Sequence, residues 1–441
     1  TISTTFLQQF EVISDYFQPH GPIVFFQGTE NADFVCAEKL AAPAWAKELG
    51  ALLIVLEHRY FGISTPFGLN YSEASTWPVE MLKPLTLDNV LLDGVTVTDW
   101  AKRHYPGAQD SKVIYVSGSY GGTLSTLARV RYPVTFFGSV ASSPLTTGLI
   151  SDPNAPNVYA WGDWAHEVYN DYSFEASTKI KAAMSTLRAQ ISKGRNLNNI
   201  ISSRTFNLCT IPKTQADADT VVYQLMAAYI QNLQDNQPAY GFPFQTLMNA
   251  TLALPANASY LDVLNVTIQA FSPRSGLPCF DWDQHFAAGG PYQYLQCIYL
   301  PQVNGYTSNS SIWGLISPYL FLDPSKGDKS LLDPWCRQAF NISSVQGGSE
   351  YQKSLGLDQQ TLQSTSRLIL TGGLLDPVTA AGTPPWYPGQ HSIEDSRVYL
   401  YSGGAHTTDV IAETPLDPDG VKEARMAILN TLKAWLLSTD V

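Results

Sequence analysis

Over the first 150 residues, short unbroken apolar runs alternate with longer stretches in which apolar positions recur every three or four residues. The runs lie at 22–28, 52–57, 112–117 and 136–141. They are too short for helices, rich in β-branched residues, and lack an apolar/polar alternation, as expected of strands buried on both faces of a parallel sheet. Segments 42–49 and 87–105 carry the helical spacing between them. Strand, helix and strand in this order predict βαβ units and an α/β fold with a mostly parallel sheet.

From about residue 152 to 355 the texture changes. Helical patterns at 174–193 and 217–234 are separated by loops rich in Pro, Asn and Ser, and no parallel-strand run stands out. Strand patterns then resume at 367–370 and 397–401, followed by a terminal helix at about 420–437. The chain therefore reads as a catalytic-type core, 1–150 and 360–441, split by a mostly helical cap insertion at 151–359. No internal repeat or low-complexity tract interrupts this pattern.

Composition narrows the classes of partner. Of 441 residues, 44% are apolar and 15% charged, with a net charge of -12 and a pI near 5.0. Nucleic acids and anionic membranes call for basic surfaces, so neither is expected as a partner. No apolar run approaches the roughly 18 residues of a spanning helix, and residues 1–10 lack the basic and apolar regions of a signal peptide. Six Asn-x-Ser/Thr sequons begin at Asn70, Asn249, Asn257, Asn265, Asn309 and Asn341, the last five inside the insertion. Cys209, Cys279, Cys297 and Cys336 also fall there, and Cys36 stands apart. Four cysteines allow three pairings, which spacing does not resolve. Sequons and cysteines together predict an exported, disulfide-bonded glycoprotein, and no Cys/His cluster points to a metal or cofactor.

The sharpest local motif is Ser117-Gly118-Ser119-Tyr120-Gly121-Gly122, between the strand at 112–117 and a helix at 122–131. A nucleophile elbow needs this context: a tight strand-to-helix turn holds serine in a strained backbone conformation, and small neighbours admit the close approach. Ser117 stands where the first glycine of Gly-x-Ser-x-Gly is usual, a mild departure for so small a residue. The amide of Tyr120, at the helix N-terminus, is placed to stabilise an oxyanion. Downstream, the strand at 367–370 runs into Gly372-Gly373-Leu374-Leu375-Asp376, and the strand at 397–401 into Gly403-Gly404-Ala405-His406. Each polar residue sits just past the carboxyl end of a strand, in the order Ser, Asp, His of an α/β-hydrolase. Ser119 is thus the expected nucleophile, His406 its base, and Asp376 the group that orients the imidazole. Among rivals, His391 lies in a Pro/Gly-rich loop, His58 reads as part of a structural network, and Asp395 and Asp409 compete with Asp376.

With these residues in place, the chain resembles the serine peptidases that include prolyl carboxypeptidase, dipeptidyl peptidase II and fungal prolyl endopeptidases. The matches include Gly28-Thr29-Glu30, Glu57-His58-Arg59-Tyr60-Phe61-Gly62, Gly118-Ser119-Tyr120-Gly121-Gly122, Ala141-Ser142-Ser143, Asp376-Pro377 and Gly404-Ala405-His406-Thr407-Thr408-Asp409. The resemblance spans about half the chain and is poor in the insertion. It implies an α/β-hydrolase core under a helical cap, a peptide substrate, and an acid-active exopeptidase of the prolyl-carboxypeptidase kind, secreted or else lysosomal or vacuolar. Alternatives are an endopeptidase, a dipeptidyl aminopeptidase, an esterase, or an inactive binding scaffold. The same resemblance implies that Gly28 and Thr29 lend a second oxyanion amide. It pairs Cys297 with Cys336 and Cys209 with Cys279, leaving Cys36 as a free, buried thiol. Glu30, if inward, suits a substrate amine. Val378 replaces the family's usual tryptophan and Thr123 a bulkier residue, which together loosen a slot shaped for proline.

Overall fold

The computed structural model describes residues 5–149, 160–192, 208–275, 279–282, 290–301, 332–382 and 397–438. Each apolar run of the core becomes a strand: β1 (Phe10–Ile13) is joined by β2 (Ile23–Gln27), β3 (Leu52–Leu56), β4 (Val113–Gly118), β5 (Phe136–Ser142), β6 (Leu368–Gly373) and β7 (Arg397–Tyr401). Among the described residues they form one sheet in the order β1-β3-β2-β4-β5-β6-β7. All neighbours pair in parallel except β1, which runs antiparallel to β3 along one edge. This strand was absent from the pattern because its four residues are exposed or half-buried and present no unbroken apolar run.

Helices α1 (Ala42–Leu49), α2 (Leu87–His104) and α3 (Tyr120–Arg131) connect the first strands. After β5 come α4 (Ala160–Tyr172), α5 (Phe174–Ser192), α6 (Gln215–Gln234), α7 (Pro243–Ala253) and α8 (Tyr260–Ser275). Then follow α9 (Pro291–Ile298), α10 (Leu332–Phe340) and, at the end, α11 (Asp419–Leu437). Local chemistry sets several boundaries. The Thr86 hydroxyl accepts from the amide of Asn89 to start α2, Thr214 and Asp217 form a reciprocal capping box on α6, and Gly50, at φ 61°, ends α1.

Alternate residues of the central strands serve opposite faces of the sheet. Ile23, Phe25, Ile54 and Tyr115 pack with Leu91 of α2 and Leu124 and Leu127 of α3. Val24, Phe26, Val55 and Val116 pack with Trp45 of α1 and Ile428, Leu432 and Trp435 of α11. The helical insertion divides between two cores. Helices α4 to α8 share a cluster of their own, built on Tyr169, Leu225, Tyr229, Phe244 and Leu264. By contrast, Tyr294, Leu295 and Cys297 of α9 and Cys336 and Phe340 of α10 join the cluster on the α2/α3 face.

Both disulfides implied by the resemblance are present, Cys209–Cys279 and Cys297–Cys336. Cys36 is free, but the expectation of a buried thiol fails: it is exposed, ahead of the short turn Ala37–Lys39. The chain there has left the sheet, and the neighbouring Ala37 occupies the interior instead. Asn70, Asn249, Asn257 and Asn341 are exposed, Asn265 is half-buried, and Asn309 lies outside the described residues. No helix among the described residues is long and apolar enough to cross a membrane.

Candidate active site

The strand order creates the crevice. From β2 the chain crosses to β3 on one side, whereas β4 lies on the other, so the loops after β2 and β4 leave the sheet in opposite directions. Ser119 occupies the turn between β4 and α3 with φ 60° and ψ -129°, a region that L-residues rarely visit and that marks an over-determined site. Its amide donates to the Ser142 carbonyl at 2.9 Å. Ser117, the departure from the usual glycine, is absorbed structurally, since its buried hydroxyl donates to the Gln27 carbonyl at 2.7 Å and ties β4 to the end of β2. Gly121 shows how tight the turn is. A Cβ there would collide with the Ser117 hydroxyl and stand 2.5 Å from Thr29 Cγ2.

The loop after β2 is therefore seated on the first turn of α3. Of the expected oxyanion donors, Gly28 is excluded: its amide is already committed to the Leu56 carbonyl at 2.7 Å, continuing the pairing with β3. Thr29 of that turn packs on Gly121. Tyr120 is held from behind. The His58 Nδ1 donates to the Arg59 carbonyl at 2.7 Å, which leaves Nε2 to accept from the Tyr120 hydroxyl at 3.0 Å. Burial pushes the His58 imidazole down to about 3, so it is neutral in this network. The structural reading of His58 suits this geometry.

Asp376 and His406 meet as the loops after β6 and β7 cross. Leu374 donates to the Tyr401 carbonyl at 3.0 Å and Leu375 to the Gly404 carbonyl at 2.9 Å. A Cβ at Gly373 would strike the Gly404 carbonyl, so only glycine permits this approach. The Asp376 carboxylate is wholly buried and lies 2.7 Å from His406 Nδ1, while the imidazole keeps 18% of its surface exposed. The other Asp376 oxygen accepts the Val378 amide at 3.0 Å. With Nδ1–H directed at Asp376, Nε2 presents its lone pair. The His406 loop is seated against the elbow: a Cβ at Gly118 would stand 2.7 Å from Thr407 Cγ2, and the Thr407 amide donates to Ser143 Oγ at 3.2 Å.

Electrostatics at the pair oppose one another. Burial alone would lower the His406 pKa, but the Asp376 carboxylate, aided by Glu30 and Asp409, outweighs it and holds the imidazole above 6.5. Glu30 lies near enough to act on His406. Burial raises its own carboxyl above the usual range, partly offset by its own amide, His406 and Thr29. Its Oε2 is shut off from solvent and has no hydrogen-bond partner among the described residues. The buried hydroxyl of Thr123 accepts from the Leu145 amide at 2.9 Å. Val378 is buried against the sheet-side cluster. The rivals His391 and Asp395 lie outside the described residues, and among the described residues no cluster of His, Cys, Asp and Glu is arranged to hold a metal.

Some contacts were invisible to sequence reasoning. The His406 amide donates to the Gln234 carbonyl at the end of α6 at 2.9 Å, and Trp164 Nε1 of α4 donates to the Leu374 carbonyl at 3.1 Å. Neither has a local signal, since each joins segments far apart in the chain.

A mostly parallel sheet, a strained serine between β4 and α3, and an Asp–His pair on later loops are the features of an α/β hydrolase. Residues 1–253 match the family described as serine carboxypeptidase S28. Lysosomal Pro-X carboxypeptidase of Pongo abelii is 35% identical, over 98% of this chain and 84% of that protein. Its namesake from Mus musculus is 26% identical over 98% and 86%. Among solved structures, a proline iminopeptidase of Mycobacterium smegmatis aligns over 98% of this chain and 96% of its own at 13% identity, with a TM-score of 0.37. The chain belongs to the serine carboxypeptidase S28 family and is a serine-type peptidase.

Proposed function

We propose that this enzyme removes residues from the carboxyl end of peptides through an acyl-enzyme formed on Ser119. His406 Nε2 takes the Ser119 proton as the hydroxyl attacks the scissile carbonyl and returns it to the leaving amine, and Asp376 holds the imidazole tautomer. The amides of Tyr120 and Thr29 receive the developing oxyanion. Water then releases the acyl group by the same proton relay. The observation that carries this reading is the 2.7 Å bond between His406 and Asp376, on a loop seated against a strained Ser119. The carboxypeptidase relatives, the sequons and two disulfides support a carboxyl-end preference and an exported or lysosomal location.

An acid optimum fits that location, but the surroundings of His406 argue against it. The base must be neutral to act, and three carboxylates around it hold the imidazole above 6.5. We therefore expect the acid limb of kcat/KM to lie at higher pH than an unperturbed imidazole would set it. A dipeptidyl aminopeptidase is the second reading, favoured by the buried, unpartnered Oε2 of Glu30 beside His406, which suits a free amine.

Digestion of a mixed peptide library, read by mass spectrometry across pH, separates these. Loss of single C-terminal residues supports the first reading, and release of N-terminal dipeptides that Glu30→Gln abolishes supports the second. Internal cuts would make it an endopeptidase. Ser119→Ala should abolish both turnover and labelling by a serine-directed phosphonate in a folded protein, and turnover that survives it would refute the triad.

A further inference from the structure

Asp409, three residues past His406, is completely buried. Its Oδ1 accepts the Ser142 hydroxyl at 2.5 Å and the Tyr401 hydroxyl at 2.8 Å, and its Oδ2 the Thr371 hydroxyl at 2.6 Å. Ser142 and Tyr401 end β5 and β7, and Thr371 lies two residues before the end of β6, so the donors come from three neighbouring strands near their carboxyl ends. Each strand end serves one part of the Ser119, Asp376 and His406 constellation. The Ser142 carbonyl fixes the amide of Ser119, β6 runs from Thr371 into the Asp376 loop, and β7 from Tyr401 into the His406 loop. The Arg425 Nη1 donates to the Asp417 carboxylate and its Nη2 to the Thr408 carbonyl, while its buried Nε has no hydrogen-bond partner among the described residues.

A buried carboxylate whose partners among the described residues are hydroxyls is an expensive way to tie strands together, because apolar packing would serve stability at lower cost. Its position explains the expense. We propose that Asp409 is a positioning residue for the peptidase reaction, clamping the three strand ends that present Ser119, Asp376 and His406 and supporting the imidazolium with its charge. The proposal rests on the triad reading above.

Two effects separate this role from a structural one. The clamp acts on geometry, so its loss lowers kcat more than it raises KM. The charge acts on His406, which Asp376 faces from the β6 loop, Glu30 from the β2 turn and Asp409 from its own loop, with burial opposing all three. Removing one negative charge lowers the imidazole pKa, so the acid limb of kcat/KM moves to lower pH. Tyr401, the other titratable group on Asp409, is held well above 10 by burial and then by Asp409 itself, and stays protonated across this range.

The test uses the full chain with Asp409→Asn, nearly isosteric, and Thr371→Val, which deletes one hydroxyl and keeps the charge. Peptide turnover, the rate of Ser119 labelling by the phosphonate, and thermal melting are followed from pH 4 to 9. Asp409→Asn should lower kcat and the labelling rate at least about tenfold, change KM less than about twofold, and shift the acid limb down by about half a unit. Thr371→Val should lower kcat about threefold and leave the limb in place. If Asp409→Asn melts earlier yet keeps the wild-type kcat and acid limb, Asp409 is structural and the proposal is overturned. Should it fail to fold, Thr371→Val and Tyr401→Phe decide: a kcat loss at constant KM in either supports the clamp, and wild-type kcat in both refutes it. Failure of the triad reading appears separately, as turnover by Ser119→Ala.

Discussion

At the residue scale, Glu30 and His406 form a coupled pair whose sign can be worked out. His406 works only as the neutral base, so kcat/KM falls about tenfold per pH unit below its pKa, which lies above 6.5. Glu30 contributes to that elevation while it is charged. Its own pKa is raised by burial, so it takes up its proton earlier than an exposed carboxyl as the medium acidifies, and its pull on His406 then fades. Glu30→Gln removes the pull at every pH. The acid limb should therefore move to lower pH, by a few tenths of a unit, while kcat on the alkaline plateau stays within about twofold. A limb that moves up or stays fixed would show that Glu30 does not face the imidazole. The measurement is kcat/KM of wild type and variant from pH 4 to 9, and N-terminal dipeptide release by wild type alone would show that Glu30 also anchors substrate.

At the element scale, the helical insertion grips the loops that carry the Asp–His pair. Helix α6 ends with the Gln234 carbonyl on the His406 amide, and α4 sends the Trp164 indole to the Leu374 carbonyl, two residues before Asp376. Trp164→Phe keeps most of the ring and deletes the donor, costing about 1 kcal/mol at that carbonyl. The expected result is a several-fold loss of kcat with little change in melting of the sheet, followed by peptide turnover and circular dichroism. None of this was legible beforehand, and the reason is physical. Strands β2 to β6 and Ser119, Asp376 and His406 announce themselves locally, because a strand buried on both faces must be apolar throughout and an elbow needs small residues beside its serine, whereas β7, half-exposed along the other edge, shows only a short apolar run. The half-exposed edge strand β1 carries no such constraint. The commitment of the Gly28 amide to Leu56 depends on pairing with β3, and the Asp409 cluster draws Ser142, Thr371 and Tyr401 from three strands. Contacts made by tertiary closure leave no periodicity to read.

At the scale of the whole molecule, two hydrophobic cores are stapled separately and should respond differently to reduction. Cys297 and Cys336 are completely buried in the cluster that also holds α2 and α3, so a thiol reaches their bridge only after that core opens. Cys209 is exposed and Cys279 half-buried, which leaves their bridge open to attack in the folded state. Exchange requires access of a thiolate to sulfur, so accessibility sets the order of events. Graded dithiothreitol with differential alkylation and mass spectrometry should first label Cys36 without any reductant, then Cys209 and Cys279, and Cys297 and Cys336 only on unfolding. The Cys209–Cys279 bridge closes a loop with a sequence separation of 70 residues. Losing it should cost the α4–α8 cluster up to about 4 kcal/mol by the loop-entropy estimate. Because that cluster supplies Gln234 and Trp164 to the Asp376 and His406 loops, peptide turnover should fall at this first reduction step, before the sheet melts. Activity that survives until Cys297 and Cys336 are labelled would instead show that the sheet and its loops hold the Asp–His pair without help from α4 and α6.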